Sequence, residues 1–389
     1  MEWLCRKQLG FGCMRLPLLD PKDPTSFDHD QICQLFDAFL AGGGTYFDTA
    51  YTYHGYQGEL EVRRALVERH PRHTFQLISK LPLRDFTDRA DMERIFQEQM
   101  ERCGVDFFDG YLLHNMGTNV YRRCCEHGGF DFVRQKKEEG RIGSIGMSFH
   151  DKPELLEEIL ERYGEGIDFL QLQINYSDWE EPSVQSRRCL ELARRYEKPV
   201  VVMEPCKGGA LINLPEDAAE LLRREGNGSS LAAWALRFAA SQEGVGVVLS
   251  GMNALEQIAD NLSVFSPFRP LNQEEEALIL KAGELVNANT AAACTGCGYC
   301  THGCPKHIPI PQFLSLYNAA LRNPATMSNQ SVYYNNLSLA TAKAGDCIGC
   351  GQCEAACPQH LPVIGYLKEL SNLFDGRTFF CLLYTSPSP

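Results

Sequence analysis

The chain writes one cysteine pattern twice in its last quarter: Cys294-x2-Cys297-x2-Cys300-x3-Cys304-Pro305, then Cys347-x2-Cys350-x2-Cys353-x3-Cys357-Pro358. Each block sets three thiolates on one tight turn and a fourth at the start of the next segment. Thiolates gathered in this way select soft metal centres. Gly296, Gly298, Gly349 and Gly351 fit the pattern, because the chain must fold tightly and point backbone N–H groups at sulfur, which few side chains allow. Structural zinc is the alternative occupant. It takes two CxxC pairs, whereas here three cysteines in a CxxCxxC row precede x3-Cys-Pro, and the whole pattern recurs.

The spacing resembles that of bacterial two-cluster ferredoxins, in which the fourth cysteine of each block serves the other cluster. The resemblance implies two [4Fe–4S] clusters: one on Cys294, Cys297, Cys300 and Cys357, the other on Cys347, Cys350, Cys353 and Cys304. The stretch 305–346 between the motifs is longer than in a minimal ferredoxin, so an insertion with a helix over Gln312–Leu321 is expected there. The region 293–370 reads as a small α+β ferredoxin-like domain, preceded by a helical linker over 267–292. Outside the motifs, Cys5, Cys13, Cys33, Cys103, Cys124, Cys125, Cys189, Cys206 and Cys381 read as small buried hydrophobes.

Composition excludes several other classes. The 17 cysteines would suit a disulfide scaffold in a short secreted chain, yet Met1 to Leu9 has no apolar run of a signal peptide. The thiols are expected to belong to a reducing compartment, with the cytoplasm as the site. No apolar run of about 18 residues exists, so no membrane span is expected. A net charge of −13 without a Lys/Arg-rich run argues against a nucleic-acid binder.

Before the cysteine blocks, short apolar segments ending in polar residues alternate with helical patterns, which implies a parallel sheet. The expected strands are Leu9–Leu16, Thr45–Thr49, Phe75–Leu81, Phe108–His114, Ser144–Ser148, Phe169–Tyr176, Val200–Pro205 and Val245–Gly251. The expected helices are Asp28–Ala41, Gly58–Glu68, Asp88–Cys103, Phe130–Glu139, Pro153–Arg162, Val184–Tyr196, Ser229–Ala240 and Leu255–Val264. Asp88 and Ser229 read as N-caps, and Gly104, Gly140 and Gly164 as helix stops. Eight β/α units in about 260 residues predict an α/β fold of (β/α)8 TIM-barrel type, with chemistry at the C-terminal ends of the strands. A doubly wound sheet is the rival, but no G-x-G-x-x-G follows a strand.

Polar residues at those strand ends form a chemical set: Asp48 and Tyr53 in FDTAYTYHG, Lys80 in ISK, and His114 in LLHN. A lysine cation beside a tyrosine favours phenolate and lowers the phenol's pKa, and an aspartate fixes the lysine. Such a tyrosine can give its proton to a carbonyl oxygen as hydride reaches carbon, with a histidine orienting the carbonyl. These motifs and their intervals resemble the tetrad of the aldo/keto reductases, a resemblance covering residues 1–266. It implies Tyr53 as general acid, Lys80 and Asp48 as its tuning pair, and His114 as substrate orienter.

The resemblance also implies NADP or NAD as cofactor. Gln173 and Ser148 match carboxamide contacts, although Phe149 replaces the usual Asn beside Ser148. Met203 stands where many members carry a stacking tyrosine. Ser250, Gly251, Gln257 and Asn261 resemble the loop and helix that hold the adenosine phosphates, with Gly251 in place of a frequent basic residue. The whole chain resembles a subgroup of aldo/keto reductases that carries a C-terminal [4Fe–4S] domain. That implies a small carbonyl or alcohol substrate, electron exchange with an external one-electron carrier, and a cluster domain that replaces or caps the substrate-selecting loops. Another class stays open: a redox-sensing or electron-transfer binding protein with structural clusters and a residual barrel site. In the 371–389 tail, residues Cys381 to Pro389 resemble a translated sequencing-adapter segment, so the authentic chain is expected to diverge near Thr378 to Cys381.

Overall fold

The computed structural model describes residues 4, 6–20, 23–83, 85–181, 184–225, 229–288, 291–292, 294, 298–322, 327–357 and 361–375. Eight strands form a closed barrel: β1 (Gln8–Gly12), β2 (Tyr46–Asp48), β3 (Gln76–Leu81), β4 (Phe108–Met116), β5 (Ile142–Phe149), β6 (Phe169–Gln173), β7 (Val200–Met203) and β8 (Val245–Ser250). Each pairs in parallel with the next, and β8 closes on β1 through Gln8↔Val247 and Phe11↔Ser250. This is the expected TIM barrel. The first expected strand is shortened because Cys13–Arg15 turns away as a 3-10 helix. β5 is longer than expected, Ile142–Phe149.

Alternation along each strand sorts side chains into two apolar layers. Tyr46, Ile78, Leu112, Phe169, Val201 and Val247 fill the lumen, while Phe11, Phe36, Phe39 and Phe47 pack between strands and helices. The lumen is full enough to require glycine: a Cβ on Gly146 would lie 2.4 Å from the Phe169 ring.

The helices follow the expected order with local differences. Asp28 accepts from the Gln31 amide at 3.1 Å and Asp88 from the Asp91 amide at 2.9 Å. Ser229 is not a cap: the helix Leu231–Ser241 starts one residue later, and Ser230 accepts from the Ala233 amide. The expected helix Gly58–Glu68 is α-helical over Gly58–Val62 and π-helical over Arg63–Val67. Thr118–Glu126 and Glu216–Glu225 are helices without a counterpart among the expected ones. In the 267–292 stretch, the helix Gln273–Ala288 packs on the barrel so closely that a Cβ on Gly283 would lie 2.7 Å from the Tyr176 carbonyl oxygen.

The C-terminal region folds around Ile308, Phe313, Tyr317, Tyr334, Leu367 and Leu370. Its described residues form the helices Tyr299–His302, Ile310–Arg322, Met327–Ala340, Gln352–Ala355 and Val363–Phe374. The helix expected at Gln312–Leu321 is present. The sheet part of an α+β domain has no counterpart among the described residues. Gly296, Cys297, Pro358 and the tail with Cys381 lie outside the described residues. Among those described, Cys13, Cys103, Cys124 and Cys189 are buried, while Cys33, Cys125 and Cys206 are half-buried. Among the described residues, no helix is long and apolar enough to cross a membrane.

One buried carboxyl in the barrel wall sets a pH dependence. Ser79 Oγ and Gln99 Nε2 donate to Glu59 Oε1 at 2.6 and 2.7 Å, and Tyr111 donates to Gln99 at 2.6 Å. Burial pushes the Glu59 carboxyl up from 4.5 to about 7, against the pull of those hydrogen bonds. Between those values the folded chain keeps a proton that the unfolded chain has lost, so stability falls as pH rises through that window. Glu59→Gln keeps the accepting oxygen and removes the charge. Urea titrations should find the variant more stable than the parent by up to about 3 kcal/mol above pH 7, with the gain vanishing toward pH 4.5.

Candidate active site

The C-terminal ends of the strands bring Asp48, Tyr53, Lys80 and His114 together. Asp48 ends β2, Lys80 lies on β3, His114 on β4, and Tyr53 stands in the turn after β2. Lys80 Nζ donates to Asp48 Oδ1 at 2.5 Å, to the Thr49 carbonyl at 2.8 Å and to the Tyr53 hydroxyl at 3.2 Å. The His114 ring meets Tyr53 edge-on, with centroids 6.2 Å apart. Burial pulls the Lys80 ammonium down, but Asp48 and Tyr53 more than offset it and hold its pKa above the ordinary value.

The Tyr53 phenol departs from the sequence expectation. Desolvation in the barrel mouth pushes it up to about 12, and Lys80 offsets only part of that rise. The phenol therefore keeps its proton at neutral pH, which makes it a donor to an oxygen placed beside it.

Asp48, Tyr53 and His114 open into a cavity of about 460 Å³. Its wall includes every residue that the sequence offered as a contact for the nucleotide cofactor: Ser148, Gln173 and Met203 for the nicotinamide end, and Ser250, Gly251, Gln257 and Asn261 for the adenosine phosphates. Ser148 Oγ accepts from the Asn115 amide at 2.7 Å, and Asn261 Nδ2 donates to Ser250 Oγ at 3.1 Å. Gln257 Oε1 accepts from the Asn253 amide at 2.8 Å. The lining suits a carboxamide: Asn115 lines the cavity, its Oδ1 is buried without a hydrogen-bond partner among the described residues, and an amide N–H would satisfy it.

Several residues of the mouth were missed by the sequence reading. Gln171 donates to Asp48 Oδ2 at 2.9 Å. Its position two residues from Gln173, on the same strand face, was the signal that could have found it. Arg15, just past the end of β1, lies against Gly251. Asp178 and Lys207 form a buried ion pair. Asp178 also accepts from Gln173 Nε2 and Asn175 Nδ2, each at 2.7 Å. Burial works to raise the Asp178 carboxyl, yet Lys207 and these amides hold it below its ordinary value.

The cluster region reaches this site. Tyr333 of the helix Met327–Ala340 donates to Gln173 Oε1 at 3.2 Å, Val332 lines the cavity, and Asn336 Nδ2 donates to the His150 carbonyl at 3.2 Å. In the cluster region itself, Cys304, Cys347, Cys350 and Cys353 line one small cavity with Ile308, Ile310, Ile364 and Leu367. Four thiols in an apolar bed are the donor set of an iron–sulfur cluster. Cys294, Cys300 and Cys357 belong to the other expected set, whose fourth member, Cys297, is not described. Among the described residues no three His, Cys, Asp or Glu side chains are placed to hold a single metal ion.

Comparison with known proteins agrees with this geometry. The model of the Aldo/keto reductase family matches residues 8–284, and that of the 4Fe-4S dicluster domain matches 293–361. The chain is similar to the holo form of an aldo-keto reductase from Bacillus halodurans, at 25% identity and a TM-score of 0.57, covering 70% of this chain and 91% of that one. An aldo-keto reductase from Klebsiella pneumoniae in complex with NADPH shares the fold, at 21% identity, a TM-score of 0.55, and coverage of 70% and 89%. A curated relative, a component of the ion-translocating oxidoreductase complex of Buchnera aphidicola, is 29% identical over 85 residues. That match spans 22% of this chain and only 15% of the relative's length.

The Asp178–Lys207 pair gives a stability test. Asp178→Ala would leave the Lys207 ammonium buried without its counter-charge, and denaturant unfolding should show a loss of about 3–5 kcal/mol. Adding Lys207→Met to that variant should restore most of the loss.

Proposed function

The chain belongs to the aldo/keto reductase family of oxidoreductases, and on that footing we propose that it interconverts a small carbonyl compound and its alcohol, using NADP or NAD and two [4Fe–4S] clusters. One observation carries the reading: Lys80 Nζ bridges Asp48 and the Tyr53 hydroxyl at the mouth of the barrel. The NADPH complex of the Klebsiella relative supports the choice of cofactor, and the dicluster match supports the clusters.

When bound, the nicotinamide would supply or accept a hydride, and the clusters would pass electrons singly. Every other part of the reaction falls to side chains. His114 orients the substrate oxygen toward the cavity floor. Tyr53 donates its phenolic proton to that oxygen during reduction and takes it back during oxidation. Lys80 stabilises the phenolate that forms, and Asp48, held by Gln171, keeps Lys80 in place. Ser148, Gln173 and Asn115 hold the carboxamide, and Ser250, Gln257 and Asn261 the adenosine end. Met203 packs where many members place a stacking ring.

In the cluster region, Cys304, Cys347, Cys350 and Cys353 hold one cluster, and Cys294, Cys297, Cys300 and Cys357 the other. Two one-electron centres match the two electrons of one hydride, which gives an external one-electron carrier a place in the cycle. A small substrate agrees with a cavity of about 460 Å³ that must also admit part of a dinucleotide. Thiolate-bound clusters suit a reducing compartment, and we place the protein in the cytoplasm.

Anaerobically purified protein should contain about eight irons per chain, and NADPH or NADH should bleach its visible cluster absorbance. Iron-loaded protein that neither binds nor responds to either nucleotide would favour a redox-sensing role. Tyr53→Phe should lose at least roughly 10²-fold in carbonyl reduction while binding nucleotide as the parent does. With Tyr53 held near 12, the reduction rate of the parent should be flat through neutral pH. Alcohol oxidation, which needs the phenolate, should rise with pH over the same range. Unaltered reduction by Tyr53→Phe would remove Tyr53 from the proposed role.

A further inference from the structure

Gln173 lines the cavity with an amide whose two ends are fixed by different parts of the chain. At the nitrogen end, Nε2 donates to Asp178 Oδ2 at 2.7 Å. Asp178 is ion-paired with Lys207 and held below its ordinary value, so it is ionised and can only accept. That settles which way the amide is turned: the nitrogen faces Asp178 and the oxygen faces away. On that far side Tyr333 donates to Oε1 at 3.2 Å. Both partners are enclosed, Gln173 at 4% and Tyr333 at 7% exposure. Burial pushes the Tyr333 phenol well above its ordinary value, so it stays a donor at neutral pH.

Tyr333 is itself held between the barrel and the cluster region. Its ring meets His150 edge-on, with centroids 5.8 Å apart, and Asn336, about one turn further along the helix, donates to the His150 carbonyl at 3.2 Å. The loop after β4 admits that amide by its bare backbone, since a Cβ on Gly117 would sit 3.0 Å from Asn336 Nδ2. The adjacent Tyr334 packs on Phe313 and Phe374 in the core of the cluster region, with centroids 4.8 and 4.9 Å apart. Tyr333 thus carries the placement of the cluster region to a side chain of the barrel site. Among the described residues, each end of the Gln173 amide has one partner, which leaves one N–H and one lone pair of the carbonyl oxygen. A carboxamide offers their complement, an N–H for Oε1 and a carbonyl for Nε2.

We propose that Tyr333, from the segment between the cysteine motifs, is a positioning residue of the barrel site: by holding Gln173 Oε1 it fixes the plane in which Gln173 meets the nicotinamide carboxamide. The inference rests on the nicotinamide reading above. The terminal torsion of a glutamine is broad and weakly two-fold, so Asp178 alone anchors one end of the amide and leaves its plane free to turn. Tyr333 supplies the second anchor. The hydrogen bonds of Ser250, Gln257 and Asn261, which serve the adenosine end, involve neither Tyr333 nor Gln173. Loss of the Tyr333 hydroxyl therefore weakens the nicotinamide end of the nucleotide and spares the adenosine end.

The test is a binding titration of the full chain, clusters loaded under anaerobic conditions, with NADH and ADP-ribose, and with NADPH and 2′-phospho-ADP-ribose. Tyr333→Phe should weaken each nicotinamide nucleotide by roughly 3–10-fold and leave each nicotinamide-free fragment unchanged. In a Gln173→Met background the same substitution should add less than about twofold, as a double-mutant cycle requires of residues that act through one another. In the parent, NADH should slow amide hydrogen exchange across Met327–Ala340 more than ADP-ribose does, a measurement that needs no variant to fold. Parent-like binding of NADH and NADPH by Tyr333→Phe, an equal loss on the fragments, the same loss in both backgrounds, or equal protection by NADH and ADP-ribose would each overturn the assignment of Tyr333. A parent chain that binds NADH and NADPH no more tightly than their fragments removes the nicotinamide reading itself. Tighter binding of the whole nucleotides with Tyr333→Phe unaltered keeps that reading and removes Tyr333 alone.

Discussion

The Lys80 ammonium lies at 1% exposure in the barrel wall, and the mouth of the barrel is organised around keeping that charge. Moving an isolated ammonium from water into such a place costs several kcal/mol, recovered only by a close counter-charge and satisfied hydrogen bonds. Asp48, the Thr49 carbonyl and the Tyr53 hydroxyl supply them. Each partner is delivered by a different register: Asp48 pairs with Ile78 across β2 and β3, and Lys80 pairs with Leu112 across β3 and β4. Barrel closure is therefore what makes the charge tolerable, and the charge in turn fixes the phenol. Tyr53 pays for its position with desolvation, so the lysine's effect on it is to limit a rise in pKa rather than to produce a fall.

The barrel was legible because its strands are short apolar runs bounded by polar residues, and strand ends are where a barrel gathers chemistry. Asp48, Tyr53, Lys80 and His114 could be read for that reason. Strand limits were less legible, since Cys13–Arg15 continues an apolar run yet leaves the sheet as a 3-10 turn. Residues whose role depends on approach in space gave little sign. Arg15 is one polar residue in an apolar stretch, and only its contact with Gly251 reveals where it points. Asp178 and Lys207 are far apart in sequence and each reads as an ordinary surface charge until both are seen buried.

The helix Met327–Ala340 escaped for a different reason. A surface helix announces itself by one apolar face, but this one is enclosed on several sides. Tyr333 and Tyr334 are buried, and so are Gln330, Ser331, Asn336 and Ser338. Its polar residues answer polar groups on two neighbours: Tyr333 and Asn336 meet the barrel, while Tyr334 donates to Asp375 at 2.5 Å and its hydroxyl accepts from the Ala344 amide at 2.9 Å in the cluster region. A helix that buries amides and hydroxyls between two bodies has no hydrophobic stripe to read.

That helix changes what the segment between the cysteine motifs is for. A line of hydrogen bonds runs from Tyr333 through Gln173 and Asp178 to Lys207, joining the cluster region to the loop after β7. Such a network holds its members firmly when complete and is costly when one partner is lost, because the remaining buried groups go unsatisfied. Its directionality also specifies one arrangement, which apolar contact alone does less sharply. The extra length between the motifs thus builds a wall of the barrel cavity, with Val332 on its surface. Both cysteine motifs flank that wall in sequence. The covalent order of the chain, barrel then clusters, therefore understates the structure: the site at the barrel mouth is finished by residues that lie between the two cysteine blocks.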